Sequence, residues 1–597
     1  MKKFISLIAI ALLAASMAAC GPTASGPSGT LIVGTPKMNG DFVAGFGNSA
    51  YDNAIRTMIW DYPTYTTTPG GEFVLNETVV EKLVTSVDDA GNKTYTFTIK
   101  KGVKWSDGSA VTAKDFVFDI LFSAHPAWTA AGASSSTGDS LIGYAAYKKG
   151  DVATFTGVKL IDDNNFAVTI SAEELPYFYE VSYASFGPSP MAAWAPDLTF
   201  NADGNGLVGD VAAVAQKVAT TERFKPTVVS GPFTFESFEN DVVTLKNNPN
   251  YAGDYRGVKA KLETVIVKYV DQNTDVDLVI SGDIDLVSGV VQGNKIEKAK
   301  AATTADVTSY LRNGYGLIAY HTDFGPTKFV EVRQALAFLI DRNIFLTEIL
   351  GGYGAMTNGE YGLAQWMYQT QKEKVAEKLI NYTYNVQKAN ELLDASPYKF
   401  EADGVTPFDP AKAVEGYWRH TADGEVLQIN HLGTTQNPIT VLIGTKWPEG
   451  MNKAGVKFTW EEQDFNALLT NYYYAYELDI SERKFHTFNL ATNFSAVYDP
   501  YYSMHSDWLG TWQNANQLND PAIDYLTVKM RSLDPTEKEK YAELWLDYQI
   551  RWNEILPNIP IYSNEYFDVF SNRVKGLVTT PLYSWPRAIL DVTVEGE

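Results

Sequence analysis

The sequence predicts a mixed α/β protein of two or three lobes, on the evidence of one segment and of the chain's length. Residues 95–99 alternate apolar and polar side chains, which is typical of a half-buried strand. Residues 105–108 (Trp-Ser-Asp-Gly) favour a turn, and Thr112 followed by Asp115 is typical of a capped helix start. A chain of 597 residues that is 45% hydrophobic exceeds what one core holds, so several lobes are expected.

The same segment resembles a known family. Residues 101–108 (Lys-Gly-Val-Lys-Trp-Ser-Asp-Gly) and 111–117 (Val-Thr-Ala-Lys-Asp-Phe-Val) closely resemble the signature of family 5 extracellular solute-binding proteins. These are the oligopeptide- and dipeptide-binding components of bacterial ABC importers. Further matches follow in the family's order at residues 230–236, 242–251, 332–342, 387–393, 519–524, 533–538 and 555–562. The resemblance implies an α/β, bilobal periplasmic-binding-protein-like fold with a small third lobe inserted near the N-terminus.

The first twenty residues have the pattern of a secretory signal. Lys2 and Lys3 precede an apolar run at residues 4–13 that is too short for a stable membrane-spanning helix. Residues 16–20 (Ser-Met-Ala-Ala-Cys) resemble a bacterial lipobox, which implies that Cys20 is lipidated and becomes the mature N-terminus. An uncleaved anchor with an unrelated cysteine is the alternative. Because Cys20 is the only cysteine, no internal disulfide is expected.

The motifs and the resemblance together divide the chain into expected segments. Residues 1–19 are the signal peptide, and residues 20–29, rich in Gly, Pro and Ser, are a lipidated tether. Lobe I is expected at 30–60, 186–312 and 558–597, the inserted lobe II at 61–185, and lobe III at 313–557. Pro188 and Pro190 mark the return from the insertion to lobe I. Hinges between the large lobes are expected near residues 310 and 555.

The charge of the chain limits its partners. The net charge is −23, which argues against nucleic acid, because phosphates are bound by Lys and Arg. The same negative charge disfavours binding to anionic lipid through a basic patch. The simpler interpretation of this charge is that it keeps the protein soluble. The family implies an oligopeptide ligand, or an oligosaccharide, and the membrane permease of an ABC importer. We expect a monomer anchored outside the cytoplasm through Cys20.

The resemblance also implies ligand-binding residues in three segments that border the cleft in relatives. These segments are the loop after the first strand, the residues after a strand predicted at 283–286, and the segment before Pro500. Their candidate residues are Phe46, Asn48, Ser49 and Tyr51, then Ser288, Gly289 and Val290, and finally Asn493, Phe494 and Ser495. Ordinary loop and helix-cap packing is the alternative for the first group.

One position departs from the pattern of the peptide-binding members. Relatives carry an acidic residue four positions before the proline of this last segment, and its carboxylate meets the ligand's free ammonium group. This chain has Ala496 there, while Asp499 matches another position of the motif. A peptide held otherwise, with Asp499 or Asp507 as the anchor, and a ligand without an ammonium group, such as an oligosaccharide, both remain open.

Aromatic residues and missing motifs complete the functional prediction. Trp447, Trp460 and the run 472–476 can stack on a sugar ring or fill a core, and core packing is the simpler interpretation. No two of the six histidines have helical zinc-site spacing, and no phosphate-binding loop is present. The pairs Ser396/Lys399 and Ser481/Lys484 lack the companion elements of a serine acyl-enzyme. The sequence therefore predicts a binding protein without catalytic, cofactor or metal site. A secreted hydrolase remains the alternative.

Replacing Cys20 with alanine tests the predicted lipid anchor. We expect C20A to remain unprocessed or to be released from the cell, because the lipid attaches through the cysteine sulfur. Metabolic labelling with palmitate and fractionation of membranes measure both properties. Unchanged membrane attachment of a fully processed variant would contradict the prediction.

Overall fold

The computed structural model describes residues 29–596, so Cys20, the expected signal peptide and nearly all of the expected tether lie outside the described residues. The strands are β1 Thr30–Thr35, β2 Tyr65–Thr67, β3 Phe73–Leu75, β4 Val80–Val87, β5 Lys93–Ile99, β6 Val158–Leu160, β7 Asn165–Ile170, β8 Thr199–Phe200, β9 Leu207–Val208, β10 Phe233–Glu239, β11 Val242–Asn247, β12 Thr264–Tyr269, β13 Leu286–Val290, β14 Ala305–Leu311, β15 Gly314–Tyr320, β16 Gly354–Met356, β17 Gln428–Thr434, β18 Lys457–Gln463, β19 Thr487–Asn493, β20 Asn558–Ser571, β21 Val574–Lys575 and β22 Thr593–Val594.

Helices connect many of these strands. The α-helices are α1 Ala50–Ile59, α2 Ala113–Ala124, α3 Pro126–Ala130, α4 Tyr144–Lys149, α5 Met191–Trp194, α6 Val211–Lys217, α7 Asp275–Ser281, α8 Gly293–Ala301, α9 Val330–Phe338, α10 Trp366–Lys378, α11 Val386–Ala395, α12 Pro438–Lys453, α13 Phe465–Tyr473, α14 Tyr501–Met504, α15 Pro521–Arg531, α16 Lys538–Ile555 and α17 Trp585–Ala588. Two π-helical turns are Val218–Glu222 and Phe345–Ile349. Among the described residues, no helix is both long and apolar enough to cross a membrane.

The long strand β20 belongs to two halves of one large sheet. Its residues 565–571 pair antiparallel with β14, and β13 pairs with the same part of the strand. Its residues 558–564 pair instead with β15 and β16. We call β10, β11, β12, β1, β13 and β14, with residues 565–571, the first half-sheet. The second half-sheet comprises β16, β15, β19, β17 and β18, with residues 558–564.

Each half-sheet has its own core. In the first half-sheet, β1 lies parallel between β12 and β13, and its Leu31 and Val33 pack with residues of α1. In the second, every residue of β15 is buried, which explains the apolar sequence Tyr-Gly-Leu-Ile-Ala-Tyr at 315–320. The strand predicted there is confirmed. Trp447 of α12 is buried in this second core, where its indole N–H donates to the Leu336 carbonyl at 3.1 Å.

A separate four-stranded sheet forms from the segment at 80–170, in the order β4, β5, β7, β6. The strand, turn and capped helix predicted at 95–118 are confirmed as β5 and α2, and Thr112 forms a capping box with Asp115. The hairpin predicted at 157–170 is confirmed as β6 and β7. Trp105 is 2% exposed, lies in the core of this sheet, and its side chain hydrogen-bonds Asp115.

The sequence misplaced one strand that matters for the cleft. The strand expected at 283–286 is β13, Leu286–Val290, so Ser288, Gly289 and Val290 lie within the strand and not after it. Asp285 precedes the strand because its carboxylate accepts from the Ile32 amide at 2.9 Å and lies 3.3 Å from Arg573. The buried carboxylate therefore fixes the turn, and the strand starts later than the apolar pattern predicted.

The chain passes between the half-sheets at two places among the described residues. One crossing is at residues 312–313, between β14 and β15, close to the hinge expected near 310. The other is inside β20, where the pairing changes between Asn564 and Glu565. That position is later than the hinge expected near 555 and later than the lobe boundary expected at 558. Residues 558–564 thus pair with strands of the expected lobe III.

Trp105 tests whether the signature segment is structural. We expect Trp105→Ala to lower the free energy of unfolding by about 3–5 kcal/mol, because it removes a fully buried aromatic ring. Denaturant unfolding measures this loss, and calorimetric titration on the folded fraction measures ligand affinity. A large loss of affinity without a change in stability would reverse the assignment.

Candidate ligand-binding cleft

The buried guanidinium of Arg312, at the first crossing between the half-sheets, hydrogen-bonds Asn564 at the second crossing. It is 5% exposed, and it donates from Nε to Asn493 Oδ1 at 2.7 Å and from Nη2 to the Thr492 carbonyl at 2.9 Å. Its Nη1 donates to Asn564 Oδ1 at 3.1 Å. Within residues 29–596, no carboxylate lies within ion-pair distance of it. Arg312 therefore joins the two crossing segments and the end of β19 through neutral acceptors.

A cavity of about 480 Å³ lies beside these crossings, and we call it the hinge cavity. Both half-sheets and α1 contribute to its wall. It is lined by residues that include Thr35, Tyr51, Asn53, Thr57, Ser288, Gly289, Val290, Tyr310, Asn313, Asn493, Tyr566, Trp585 and Pro586. Five of the residues implied by the family resemblance line it, namely Tyr51, Ser288, Gly289, Val290 and Asn493.

The polar groups of β13 in this cavity are already hydrogen-bonded to Asp568. Ser288 Oγ donates to Asp568 Oδ1 at 2.6 Å, and the Gly289 amide donates to the same oxygen at 3.1 Å. Thr579 Oγ1 donates to Oδ2 at 2.6 Å. Burial raises the pKa of Asp568, and these hydrogen bonds oppose the rise. Gly289 has a φ of 78°, which turns its N–H toward the carboxylate and interrupts the strand register.

A second cavity, of about 410 Å³, contains the position that departs from the family pattern, and we call it the Ala496 cavity. Its lining comes from segments of the expected lobe III outside the strands of the second half-sheet, from the inserted segment and from Leu582 of the C-terminal segment. These residues include Gly71, Glu72, Phe73, Phe178, Tyr179, Asn313, Trp366, Ser495, Ala496, Tyr498, Lys538 and Leu582. The methyl group of Ala496 faces the inserted segment, 3.9 Å from where a Cβ on Gly71 would lie.

Asn313 lines both cavities and connects them. Its Nδ2 donates to the Phe494 carbonyl at 2.9 Å, and the Phe494 amide donates to its backbone carbonyl at 2.6 Å. Its Oδ1 is buried and has no donor among the described residues. A buried acceptor without a donor costs free energy, so this oxygen is suited to accept a hydrogen bond from a ligand.

The inserted segment closes the Ala496 cavity from the side. Phe178 stacks on Tyr541 of α16 with ring centroids 4.1 Å apart, and its amide donates to the Arg531 carbonyl at 2.9 Å. Phe178 also faces Trp366, with centroids 6.3 Å apart. These contacts bring an aromatic wall from the expected lobe II against helices α10 and α16 of the expected lobe III. The cavity is therefore bounded by the inserted segment, by the expected lobe III and by Leu582 of the C-terminal segment.

The acid near Ala496 is Glu72, and neither Asp499 nor Asp507 lines this cavity. Asp499 is buried beside Arg531, with Oδ2 at 3.4 Å from Nε, and burial raises its pKa while Arg531 opposes the rise. Asp507 accepts from the Tyr501 hydroxyl at 2.8 Å. Glu72 is exposed at the cavity wall, and its Oε2 accepts from Thr68 Oγ1 at 2.5 Å.

The other candidate residues lie away from the cavities or pack within the protein. Phe46 packs on Trp128, with ring centroids 4.9 Å apart, and Ser49 caps α1 by accepting from the Asp52 amide at 3.4 Å. Asn48 is exposed and lines neither cavity. Phe494 packs edge-on against Tyr498 at 5.1 Å, whereas Ser495 lines the Ala496 cavity.

Sequence reasoning missed several of the residues that line the cleft. Glu72, Phe178 and Trp366 come from segments without a recognised motif, and only the contacts between distant segments bring them together. Conversely, Trp447, Trp460 and the aromatic run 472–476 line neither cavity. Within the described residues, no group of three His, Cys, Asp or Glu side chains is arranged to hold a metal ion.

Two half-sheets are joined by residues 312–313 and by β20, and cavities lie where they join. This is the architecture of a two-lobed solute-binding protein. The family model for bacterial extracellular solute-binding proteins, family 5 (middle), matches residues 78–515. The chain belongs to this family. The predicted resemblance and α/β fold class are therefore confirmed.

The relatives of this chain include oligopeptide-binding proteins. The oligopeptide-binding protein AppA of Bacillus subtilis is 24% identical over 88% of this chain and 86% of its own length. The periplasmic oligopeptide-binding protein OppA of Escherichia coli is 28% identical, over 44% of this chain and 45% of its own length. The chain thus matches less than half the length of the E. coli protein.

Solved structures agree in fold. The B. subtilis AppA complex with a nonapeptide has a TM-score of 0.70 at 18% identity, covering 96% of this chain and all (100%) of that one. The periplasmic EDTA-binding protein EppA has a TM-score of 0.74 at 16% identity, and the match covers 96% of this chain and 98% of the EppA chain. At these identities the match shows the fold, and the two neighbours take different kinds of ligand.

Proposed function

We propose that this protein captures oligopeptides in the cleft formed by the hinge cavity and the Ala496 cavity, and delivers them to the permease of an ABC importer. The observation that carries the proposal is the position of both cavities at the crossing between the half-sheets, where Asn313 lines each of them. A ligand there contacts both halves at once. The relatives named above as oligopeptide-binding proteins favour a peptide as that ligand.

Capture would work by closure of the two halves around the ligand. A ligand shifts the equilibrium toward the closed form only by the amount by which it binds that form better. Residues 312–313 and 564–565 are the only backbone connections between the half-sheets in the described chain, so they would absorb the rotation. The protein itself performs no chemistry in this proposal, and a separate ATPase supplies the energy for transport.

The expected lobes and the lipid anchor complete the proposal. We assign residues 30–60, 186–312 and 565–597 to lobe I, 61–185 to lobe II and 313–564 to lobe III, which moves one boundary to the change in pairing inside β20. A lipid on Cys20 would hold the monomer at the outer face of the cell membrane, close to the permease. The motif at residues 16–20 supports this anchoring.

Peptide recognition in the Ala496 cavity would use one acid and one base at its wall. Glu72 and Lys538 are exposed, and neither has an ion-pair partner within 4 Å among the described residues. A free peptide has an ammonium group at one end and a carboxylate at the other, so this pair complements both termini. Because both side chains are exposed, each contact is worth about 0–1 kcal/mol.

An oligosaccharide is the second candidate ligand. Phe73, Trp366 and Tyr498 present aromatic rings to the same cavity, and such rings stack on sugars as readily as they pack against peptide side chains. A hydrolase would differ from both by converting its ligand. Incubation with peptides and glycans, followed by mass spectrometry, tests for conversion.

Calorimetric titration of a peptide and its N-acetylated form tests the proposed role of Glu72. We expect acetylation to cost about 1 kcal/mol or less, which is about fivefold in Kd, because an exposed carboxylate binds an ammonium group weakly. In Glu72→Gln, this difference between the two peptides should disappear. Glu77→Gln is the matched control, since Glu77 is an exposed acid five residues away that lines neither cavity.

Two outcomes would contradict the proposal in different ways. An acetylation penalty several times larger, unchanged in Glu72→Gln, would mean that another acid anchors the amino terminus. Binding of oligosaccharides without binding of any peptide would replace the ligand class and leave the cleft in place.

A further inference from the structure

A third cavity, of about 460 Å³, lies between α1, α2 and the C-terminal segment, and the proposed function does not use it. We call it the Trp60 cavity. Its lining includes Asn53, Arg56, Thr57, Trp60, Asp61, Asp119, Phe122, Trp128, Ser189, Trp194, Tyr251, Asp254, Tyr255, Tyr583, Pro586 and Arg587. It therefore lies where the expected lobes I and II meet.

Aromatic rings form much of its wall. Trp60 and Trp194 meet edge-to-face with ring centroids 5.8 Å apart, and Phe122 packs on Trp128 at 4.9 Å. Trp194 is 3% exposed, and its indole N–H has no acceptor among the described residues. A buried N–H without an acceptor is unusual, and a ligand oxygen would satisfy it.

Asp119 contributes a carboxylate with no cationic partner. Its hydrogen-bond donor is Ser189 Oγ, at 2.6 Å, and no Lys, Arg or His among the described residues lies within ion-pair distance. Burial raises the pKa of Asp119 to about 6, so it is ionised at neutral pH. The residue is half-buried, so its charge loses part of its hydration without gaining a counter-ion.

A second carboxylate in the wall, Asp61, has a neutral donor as well. The Tyr251 hydroxyl donates to Asp61 Oδ2, and Ser230 donates to its backbone carbonyl at 3.0 Å. Burial raises the pKa of Asp61, opposed by the hydrogen bond from Tyr251 and by the charge of Arg587. Like Asp119, it has no cation within 4 Å among the described residues.

The guanidinium groups in the wall use their donors elsewhere. Arg56 donates from Nη1 to the Asp41 carbonyl at 2.9 Å and from Nη2 to the Gly47 carbonyl at 3.2 Å. Arg587 donates to Thr66 Oγ1 at 3.0 Å and to Thr67 Oγ1 at 2.9 Å.

The remaining charged group of the wall is already paired. Asp254 binds the nearby Arg256 at 2.8 Å. Asp119 and Asp61 are thus left as the carboxylates of the cavity without a paired cation.

We propose that the Trp60 cavity binds an organic cation, namely a primary ammonium or guanidinium group on a short aliphatic chain that carries an oxygen acceptor. The cation would lie against Asp119 and over the indole rings, which attract cations through their faces. The oxygen would accept from the indole N–H of Trp194. The chain would fill the apolar part of the wall.

The cation has two possible sources with the same chemistry. Asn53, Thr57 and Pro586 line both this cavity and the hinge cavity, so a lysine or arginine side chain of a ligand in the cleft is close by. This source rests on the proposed function. A free aliphatic amine is the other source and does not depend on it.

Titration with 5-amino-1-pentanol tests the site, with 1,5-pentanediol as the neutral analogue of the same length. Binding is followed by calorimetry and by the fluorescence of the tryptophans in the wall. We expect the amine to bind and the diol to bind at least tenfold more weakly. Asp119→Asn should weaken the amine at least tenfold, because it keeps the shape of the side chain and removes its charge.

The control variant is Asp151→Asn, which makes the same change in net charge at an exposed position of the inserted segment. It should leave the affinity unchanged. Asp61→Asn provides a second test if Asp119→Asn fails to fold, as judged by circular dichroism, and should also weaken the amine. Equal binding of amine and diol, or no loss in a folded Asp119→Asn or Asp61→Asn, would overturn the proposal.

The pH dependence gives a readout that a structural role of Asp119 would not produce. The amine remains a cation at both pH values, whereas a carboxyl group with a pKa of about 6 is mostly protonated at pH 5. Affinity should therefore fall about tenfold from pH 7.5 to pH 5 in the natural protein, and the fall should be much smaller in Asp119→Asn. A fall of the same size in both would overturn the proposal.

Peptides distinguish the two sources of the cation. A peptide with lysine should bind more tightly than one with norleucine at the same position, and Asp119→Asn should remove the preference, if a ligand side chain fills the cavity. If the amine binds and the peptides show no preference, the site takes a free amine. Amine binding without binding of any peptide would overturn the proposed peptide function and support the site. Binding of peptides without a lysine preference, and without binding of the amine, would overturn the site and leave the peptide function in place.

Discussion

One buried guanidinium joins the parts of the chain on which the cleft depends. Arg312 lies at the first crossing between the half-sheets and binds Asn564 at the second crossing, and it also binds the end of β19. Its partners are neutral, so the contacts set geometry at the crossing without the strength of a buried ion pair. Because β20 is shared by both half-sheets, this is also where cavities between them form. The fold and the cleft thus depend on the same few residues.

Local structure and family membership could be predicted from the sequence, because short-range patterns encode them. The alternation at 95–99, the Thr112 cap and the hairpin at 157–170 depend on neighbouring residues and were placed correctly. The start of β13 was placed too early, because it depends on the hydrogen bond from the Ile32 amide to Asp285, and these residues are far apart in the chain. The lining of the cleft was predicted only in part for the same reason. Glu72 and Phe178 line the Ala496 cavity, which the inserted segment reaches through contacts such as that between Phe178 and Tyr541 of α16.

The two regions proposed to bind ligands differ in how their charges are compensated. In the cleft, the buried carboxylate of Asp568 is satisfied by three donors of the protein, and the unpaired charges are exposed. In the Trp60 cavity, Asp119 is half-buried without a paired cation, and one hydroxyl donates to it. A cleft of the first kind tolerates varied ligands, since few polar contacts fix their identity. A cavity of the second kind discriminates by charge, because a half-buried carboxylate without a counter-ion favours a cationic ligand over a neutral one.

The distance between the half-sheets is the most direct test of capture by closure. A Cys20→Ala background has no native thiol, and dyes can be attached through Glu239→Cys at the end of β10 and Val405→Cys, which is 76% exposed and follows α11. Single-molecule fluorescence energy transfer then reports the distance without and with a peptide whose binding calorimetry has established. Closure predicts that the peptide shifts the distribution toward shorter distances in proportion to occupancy. An unchanged distribution with the peptide bound would contradict it.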